Sequence, residues 1–264
     1  MIDLHSHVLP GLDDGPPDME GSLALARAAR RAGTGTLVAT PHVRDDYPFP
    51  LGAIDERVDE TNAALGRAGI DVRVERGAEG AITKVTEFDD DELRSLCLGS
   101  GTYLLVESPY TYAPELLEKV LFDLQARGFR PILAHPERSP SFLSDFVRLA
   151  RIVDKGVLCS VTALSMSGGF GDAIQRFTSR LFTEGLVHDV ASDAHDTSRR
   201  PPGLGNGFER LEKELPGLTD QVRWYTVEAP QAILAGSELP PPPEPLAPPE
   251  KGLRRLLRLR RQPV

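Results

Sequence analysis

Met1-Ile2-Asp3-Leu4-His5-Ser6-His7 reads as a short apolar strand that ends in two imidazoles. The same design recurs at five other points: Thr40-Pro41-His42, Gly77-Ala78-Glu79, Val106-Glu107-Ser108, Ala134-His135-Pro136 and Ser192-Asp193-Ala194-His195. A lone histidine after a strand is commonly a hydrogen-bonded structural residue. Six strand ends that all carry a histidine or a carboxylate point instead to one metal site. In a barrel, parallel strands present their C-terminal ends to a common face, so residues far apart in sequence converge there.

The rest of the chain supports that geometry. Short apolar or β-branched runs fall near residues 2–4, 36–40, 72–77, 103–106, 131–134, 157–161 and 188–192, with helical periodicity between them. The first helix is predicted over 19–32, capped by Asp18 and closed by Gly33, and others over 54–68, 114–127, 141–155 and 170–184. Seven such β/α units with site residues on six strand ends predict an α/β barrel, since an open sheet would gather its ligands at one switch point. Segments 205–215, 219–227 and 229–235 read as helices packed outside it.

A chain of 264 residues with 40% apolar content can form one such domain, assigned to residues 1–238. Residues 239–250, with Pro240-Pro241-Pro242-Pro243-Glu244-Pro245-Leu246-Ala247-Pro248-Pro249, read as a stiff proline-rich linker. Residues 251–264 read as a basic tail, amphipathic or disordered, that could meet an anionic membrane surface. The net charge of −9 is uneven: six basic residues against Glu250 give residues 250–264 a local +5, leaving −14 on residues 1–249. That field argues against nucleic-acid binding. The N-terminus lacks a secretory pattern, and no run approaches the ~18 apolar residues of a membrane span. The expected location is therefore the cytoplasm, with association at the inner face of the membrane through the tail. Cys97 and Cys159 form no C-x-x-C pair and read as small core residues.

In His5-Ser6-His7 the two imidazoles point the same way on extended backbone and can grip one ion. Asp193-Ala194-His195 repeats the device with a carboxylate. Glu79 and Glu107 lie in apolar surroundings, where a buried carboxylate is costly unless it is paired or metal-bound. Asp13 and Asp14 sit in a turn that favours Asp on conformational grounds, and nothing in the spacing separates them. His188 precedes its strand at the opposite end and reads as a non-ligand.

The opening through Pro10-Gly11-Leu12-Asp13-Asp14-Gly15, with Ala39-Thr40-Pro41-His42, Gly77-Ala78-Glu79, Ala134-His135-Pro136-Glu137-Arg138, Ala191-Ser192-Asp193-Ala194-His195 and Arg200-Pro201-Pro202, resembles the polymerase and histidinol phosphatase (PHP) superfamily. Within it, the chain is similar to the bacterial capsule and exopolysaccharide tyrosine-protein phosphatases over roughly residues 1–235. The resemblance implies a distorted (β/α)7 TIM-like barrel and three divalent metal ions. It assigns His5, His7, Glu79 and Asp193 to one ion, Glu79, Glu107 and His135 to a second, and Asp14, His42 and His195 to a third. It also implies Arg138 and Arg200 at the phosphate, manganese as the favoured metal with Fe or Zn as alternatives, and an autophosphorylated, membrane-associated tyrosine kinase of polysaccharide biosynthesis as the protein substrate. One departure is Gly80-Ala81-Ile82-Thr83-Lys84-Val85, which has no tyrosine where relatives carry aromatics.

The expected chemistry is hydrolysis of phosphotyrosine by a hydroxide bridging ions about 3.5 to 4 Å apart, with the arginines neutralising the phosphoryl oxygens. A thiol mechanism is set aside, because six residues after Cys97 and Cys159 stand Tyr103 and Ser165 rather than arginine. The alternatives are a small-molecule phosphatase of the histidinol-phosphate type, a PHP nuclease, and a non-catalytic binding protein.

Overall fold

Apolar runs at each of the seven expected places form strands in the computed structural model, which describes residues 1–109, 111 and 113–247. They are β1 (Ile2–Ser6), β2 (Thr36–Ala39), β4 (Arg73–Glu75), β6 (Tyr103–Glu107), β7 (Arg130–Ala134), β8 (Leu158–Thr162) and β9 (Asp189–Ala191), and two unforeseen short strands, β3 (His42–Val43) and β5 (Glu79–Ala81), follow β2 and β4. All pairings are parallel, in sheets of order β1-β2-β4 and β3-β5-β6-β7-β8-β9.

The expected (β/α)7 barrel is therefore met only as a parallel α/β fold, because the ladders do not close among the described residues. The β2 to β3 strand path breaks at Thr40-Pro41, where proline has no N–H to donate. The neighbouring β4 to β5 path breaks at the same level, so each of these two paths is divided between the sheets. At the other edge, β1 meets the chain beyond β9 through a single bridge, Ser6 to Ala194. Asp193 stands there with φ 53°, outside the extended range a longer ladder would need. Two hydrogen bonds nevertheless tie this edge together, Asp193 N–H to His5 O at 2.8 Å and His7 N–H to Ala194 O at 2.9 Å.

The helix Met19–Arg31 starts as its sequence predicts, with the Asp18 carboxylate accepting from Gly21 N. It ends with Gly33 at φ 89°, which lets Thr34 N–H turn back to Ala29 O at 3.0 Å. The single helix expected over 141–155 is split at Asp145 into Pro140–Ser144 and Phe146–Asp154, because the Asp145 side chain accepts from Arg148 N and caps a new start. The 170–184 helix begins at Asp172, after Gly171 at φ 94°. The 205–215 helix stops at Leu211, and the 219–227 segment is a 3-10 turn, Thr219–Gln221, followed by a π-helix, Trp224–Glu228. Short helices at Ile82–Val85, Asp90–Leu96 and Ala163–Met166 were not anticipated.

The main core runs between sheet and helices and includes Leu25, Leu37, Leu104, Leu121, Phe142, Val161 and Phe208. The proline-rich run, read as a spacer, carries no helix or strand over 240–247. It lies against the body: Leu239 and Leu246 pack on the core, and Gln221 Nε2 donates to Glu244 O at 2.9 Å. The basic tail expected at 251–264 lies outside the described residues. Among the described residues no helix is long and apolar enough to cross a membrane.

Candidate metal centre

Alternation along β1 turns His5 and His7 to one side, and their Nε2 atoms stand 3.2 Å apart. Asp193 Oδ1 lies 3.4 Å from His5 Nε2 and 3.3 Å from His7 Nε2, and Glu79 Oε2 lies 3.4 and 3.6 Å from the same two atoms. The far nitrogen of His7, Nδ1, is 2.6 Å from Asp13 Oδ2. A carboxylate there places an imidazole N–H on Nδ1 and leaves Nε2, facing the cluster, as the atom that can offer a lone pair to a cation in place of a proton.

Glu79 is the hub. In the ladder it sits opposite His42, while Ala81, two residues on, sits opposite Glu107, so Glu107 stands one step farther along on β6. Glu79 Oε1 is 2.8 Å from His135 Nε2, and Oε2 is 2.8 Å from His42 Nδ1. Glu107 stands behind, 3.8 Å from His135 Nε2 and 3.9 Å from His42 Nδ1.

The turn after β1 separates the two aspartates that sequence could not. Asp13 is spent on the backbone and on His7, accepting from Gly15 N and His42 N at 2.9 Å each. Asp14 instead reaches the cluster, with Oδ1 3.1 Å from His195 Nε2 and 3.6 Å from His42 Nε2. All nine residues singled out as metal-binding thus come together in four overlapping groups: His7, Asp14, His42 and His195; His5, His7 and Asp193; His5, Glu79 and His135; and His42, Glu79 and Glu107. His188 belongs to none of these groups; its Nδ1 accepts from Cys159 N at 3.1 Å, and burial pushes its pKa down to about 4.

The donor atoms suit a divalent cation. Glu79 Oε2, Asp193 Oδ1 and His42 Nδ1 are buried and make no hydrogen bond, a costly arrangement for apposed anionic and lone-pair atoms unless a cation sits among them. Mixed imidazole and carboxylate donors match Mn, Fe or Zn better than a soft thiolate-type ion. Burial alone would raise the Glu79 carboxyl, but His5, the hydrogen bond with His135 and the nearby His42 hold it well below the ordinary range. Asp193 is likewise held down against its burial by His5, His7 and Arg138. His7, despite burial, is pushed up to about 10 by Asp13 and Asp193, so in the absence of metal the pocket draws a proton where it would draw a cation. Burial and Arg138 depress His135 to about 4, which keeps it neutral and ready to donate a lone pair.

Both candidate arginines stand on one edge of the cluster. Arg138 Nη2 donates to Asp193 Oδ2 at 2.7 Å, and its guanidinium lies 4.9 Å over the Phe170 ring. Arg200 donates to the same oxygen and, through Nη1, faces His195 Nε2 at 2.8 Å. Its loop is pinned by His195 N–H to Arg200 O at 3.0 Å. Asp193 therefore shows Oδ1 to the imidazoles and Oδ2 to the arginines. His135 (φ 34°) and Asp193 (φ 53°) are the only non-glycine residues with positive φ among the described residues, and both belong to the site.

Sequence reasoning missed several supports. Asp3 Oδ1 accepts from Ser192 N at 2.9 Å and His5 N at 3.3 Å, holding the two histidine-bearing segments together. Glu137 is fully buried and accepts from Thr162 N at 2.9 Å and Ser165 Oγ at 2.6 Å, anchoring the loop that carries His135 and Arg138. Its only sequence signal was an acid between Pro136 and Arg138. Arg44, with Nη1 3.7 Å from Glu107 Oε2, and Tyr47, stacked on His42, were also unforeseen. Both cysteines are buried, and burial raises their thiol pKa values, Cys97 to about 12, which disfavours the thiolate that a cysteine nucleophile needs.

Residues 1–235 match the family described as capsular polysaccharide synthesis, CpsB/CapC. The chain is 37% identical over 216 residues to the tyrosine-protein phosphatase YwqE of Bacillus subtilis, covering 81% of this chain and 85% of that protein. It is 28% identical over 222 residues to the tyrosine-protein phosphatase CpsB of Streptococcus pneumoniae, covering 81% and 90%. A solved structure from work on those two proteins, described as unique metal-dependent tyrosine phosphatases, superposes with a TM-score of 0.82 at 34% identity, covering 94% of this chain and all of that one.

Proposed function

Because this chain belongs to the CpsB/CapC family of capsular polysaccharide synthesis, we propose that it is a metal-dependent protein-tyrosine phosphatase whose centre is the cluster of His5, His7, Asp14, His42, Glu79, Glu107, His135, Asp193 and His195. The observation that carries this reading is the convergence of buried donor atoms that make no hydrogen bonds beside two guanidinium groups. Within the proposal, three ions are held, manganese being the favoured one. His5, His7, Glu79 and Asp193 hold the first, Glu79, Glu107 and His135 the second, and Asp14, His42 and His195 the third. The seven strand paths then act as a distorted barrel with an open seam beside Asp193.

Bound divalent ions supply Lewis acidity that makes water nucleophilic near neutral pH and offsets charge on phosphoryl oxygens. The remaining work falls to the chain. Arg138 and Arg200 offer planar donors to the phosphate, and Asp193 Oδ2 holds both guanidinium groups on one side of the site before substrate arrives. Asp13 fixes the His7 ring, and Glu137 fixes the loop of Arg138. A tyrosine leaving group, with its pKa near 10, needs little protonation, and the geometry marks no general acid.

The proposed substrate is phosphotyrosine on an autophosphorylated, membrane-associated tyrosine kinase of polysaccharide biosynthesis, with residues 251–264 as a contact to the inner face of the membrane. The test compares initial hydrolysis of a phosphotyrosine peptide and histidinol phosphate by metal-stripped protein reloaded with manganese, for wild type and His42→Ala. Manganese-dependent peptide turnover that the substitution lowers by at least a hundredfold is the expected result. Preference for histidinol phosphate would move the function to small-molecule metabolism, and turnover of neither would refute both.

A further inference from the structure

The strip between β3 and the helix Gly52–Arg67 leaves the metal cluster and borders a cavity of about 510 Å³. Its apolar wall is made by Val43, Tyr47, Phe49, Leu51 and Phe88. Phe49, Leu51 and Phe88 pack on the core while remaining partly exposed, so the wall is preformed. A preformed apolar wall costs little to order when something binds. The volume lies within the range of small-molecule sites and exceeds what one side chain requires.

The cavity adjoins the centre through Tyr47 and Arg44. The Tyr47 ring lies nearly parallel to the His42 imidazole, 7° apart with centroids 5.6 Å distant. Arg44 lines both this cavity and a neighbouring cleft of about 270 Å³ that includes Glu107, and its Nη1 is 3.7 Å from Glu107 Oε2. The charges around the mouth are engaged locally: Arg44 with Asp46 at 2.8 Å, Lys84 with Asp45 at 3.0 Å and Glu87 at 2.6 Å, and Glu92, which accepts from Asp89 N at 3.0 Å. Charges already satisfied in this way offer little to a charged ligand and leave the apolar wall as the attractive surface.

We infer that this cavity is a substrate subsite that takes an apolar or aromatic side chain of the polypeptide, flanking the phosphotyrosine whose phosphate meets Arg138 and Arg200. The inference rests on the phosphatase reading above. It assigns sequence selectivity to the loop after His42, whereas the phosphate chemistry belongs to the cluster. An aryl phosphate without flanking residues has nothing to place in this cavity.

The test uses the full chain reloaded with manganese and a panel of phosphotyrosine peptides. Leucine or aspartate occupies, in turn, each of the two positions on either side of the phosphotyrosine, and p-nitrophenyl phosphate serves as the reference substrate. At one position leucine should raise kcat/KM over aspartate by roughly ten- to a hundredfold, the yield of burying one apolar side chain. That ratio should fall towards one in Phe49→Ser and Phe88→Ser and return in Phe49→Leu, with thermal melting run alongside to confirm folding. Equal turnover of the leucine and aspartate peptides at every position, or a leucine preference that survives in folded Phe49→Ser and Phe88→Ser, would overturn the subsite while p-nitrophenyl phosphate is still hydrolysed. Failure to hydrolyse p-nitrophenyl phosphate and every peptide would overturn the phosphatase reading, and the subsite with it.

Discussion

Asp13 and Asp14 are adjacent and chemically identical, yet one braces and the other reaches the cluster. Asp13 accepts from His7 Nδ1, His42 N and Gly15 N, whereas Asp14 faces His195 and His42. Asp13→Asn keeps the shape but removes the charge that fixes the His7 tautomer, and loss of such an orienting carboxylate weakens metal affinity by roughly 10- to 100-fold. Competition with a chelator of known affinity measures this, and unchanged affinity would contradict the bracing role. A second carboxylate sits apart from the donor cluster. Asp189 is fully buried, bonded through Oδ2 to Ser160 Oγ with Oδ1 making no hydrogen bond, and burial pushes its pKa up to about 8. Its folded pKa exceeds its unfolded value, so the folded state binds the extra proton and stability falls as pH rises towards 8. The slope for one such group approaches ~1.4 kcal/mol per pH unit between the unfolded and folded values. Other buried groups, His135 and His188 among them, titrate in the same range with the opposite sign, so the readout is a difference: in denaturant melts of metal-free protein between pH 5 and pH 8, the stability of wild type relative to Asp189→Asn should decline as pH rises, and a constant difference would contradict the account.

At the scale of elements, the site depends on close approaches that admit no side chain. A methyl group on Gly15 would overlap the His7 carbonyl oxygen and press on Asp13, so Gly15→Ala must displace the turn that carries Asp13 and Asp14. The cost of such overpacking is about 1–3 kcal/mol, and bound metal per chain should fall with it, as melting and elemental analysis would show. The strand positions were legible because each buried strand is a short apolar run between helical patterns, and Asp18 and Gly33 marked the ends of the first helix. What periodicity could not show was the division of two strand paths at Pro41 and ahead of Glu79. Two- and three-residue strands such as β3 and β5 carry too few side chains for a period. The split at Asp145 was also hidden, since a cap in mid-pattern looks like any polar position on a helix.

For the whole molecule, the six strand ends converge as their spacing implied, and the resemblance supplied the one turn residue, Asp14, that spacing left open. The supports were not legible. Asp3, Glu137 and Arg44 act through contacts made across sequence separations that only the fold creates. The proline-rich segment misled for a related reason: its composition forbids a ladder or helix interior but does not reveal that Leu239 and Leu246 lie on the core. The central claim is that these converging donors form one multinuclear centre on which hydrolysis depends. The most direct measurement is the initial rate of phosphotyrosine-peptide hydrolysis as manganese is titrated into metal-stripped protein at concentrations above the binding constants. The account predicts no turnover without metal and a rate that climbs to a break at about three equivalents, as shared bridging donors would impose. Full activity in the stripped protein, or a break at one equivalent, would contradict it.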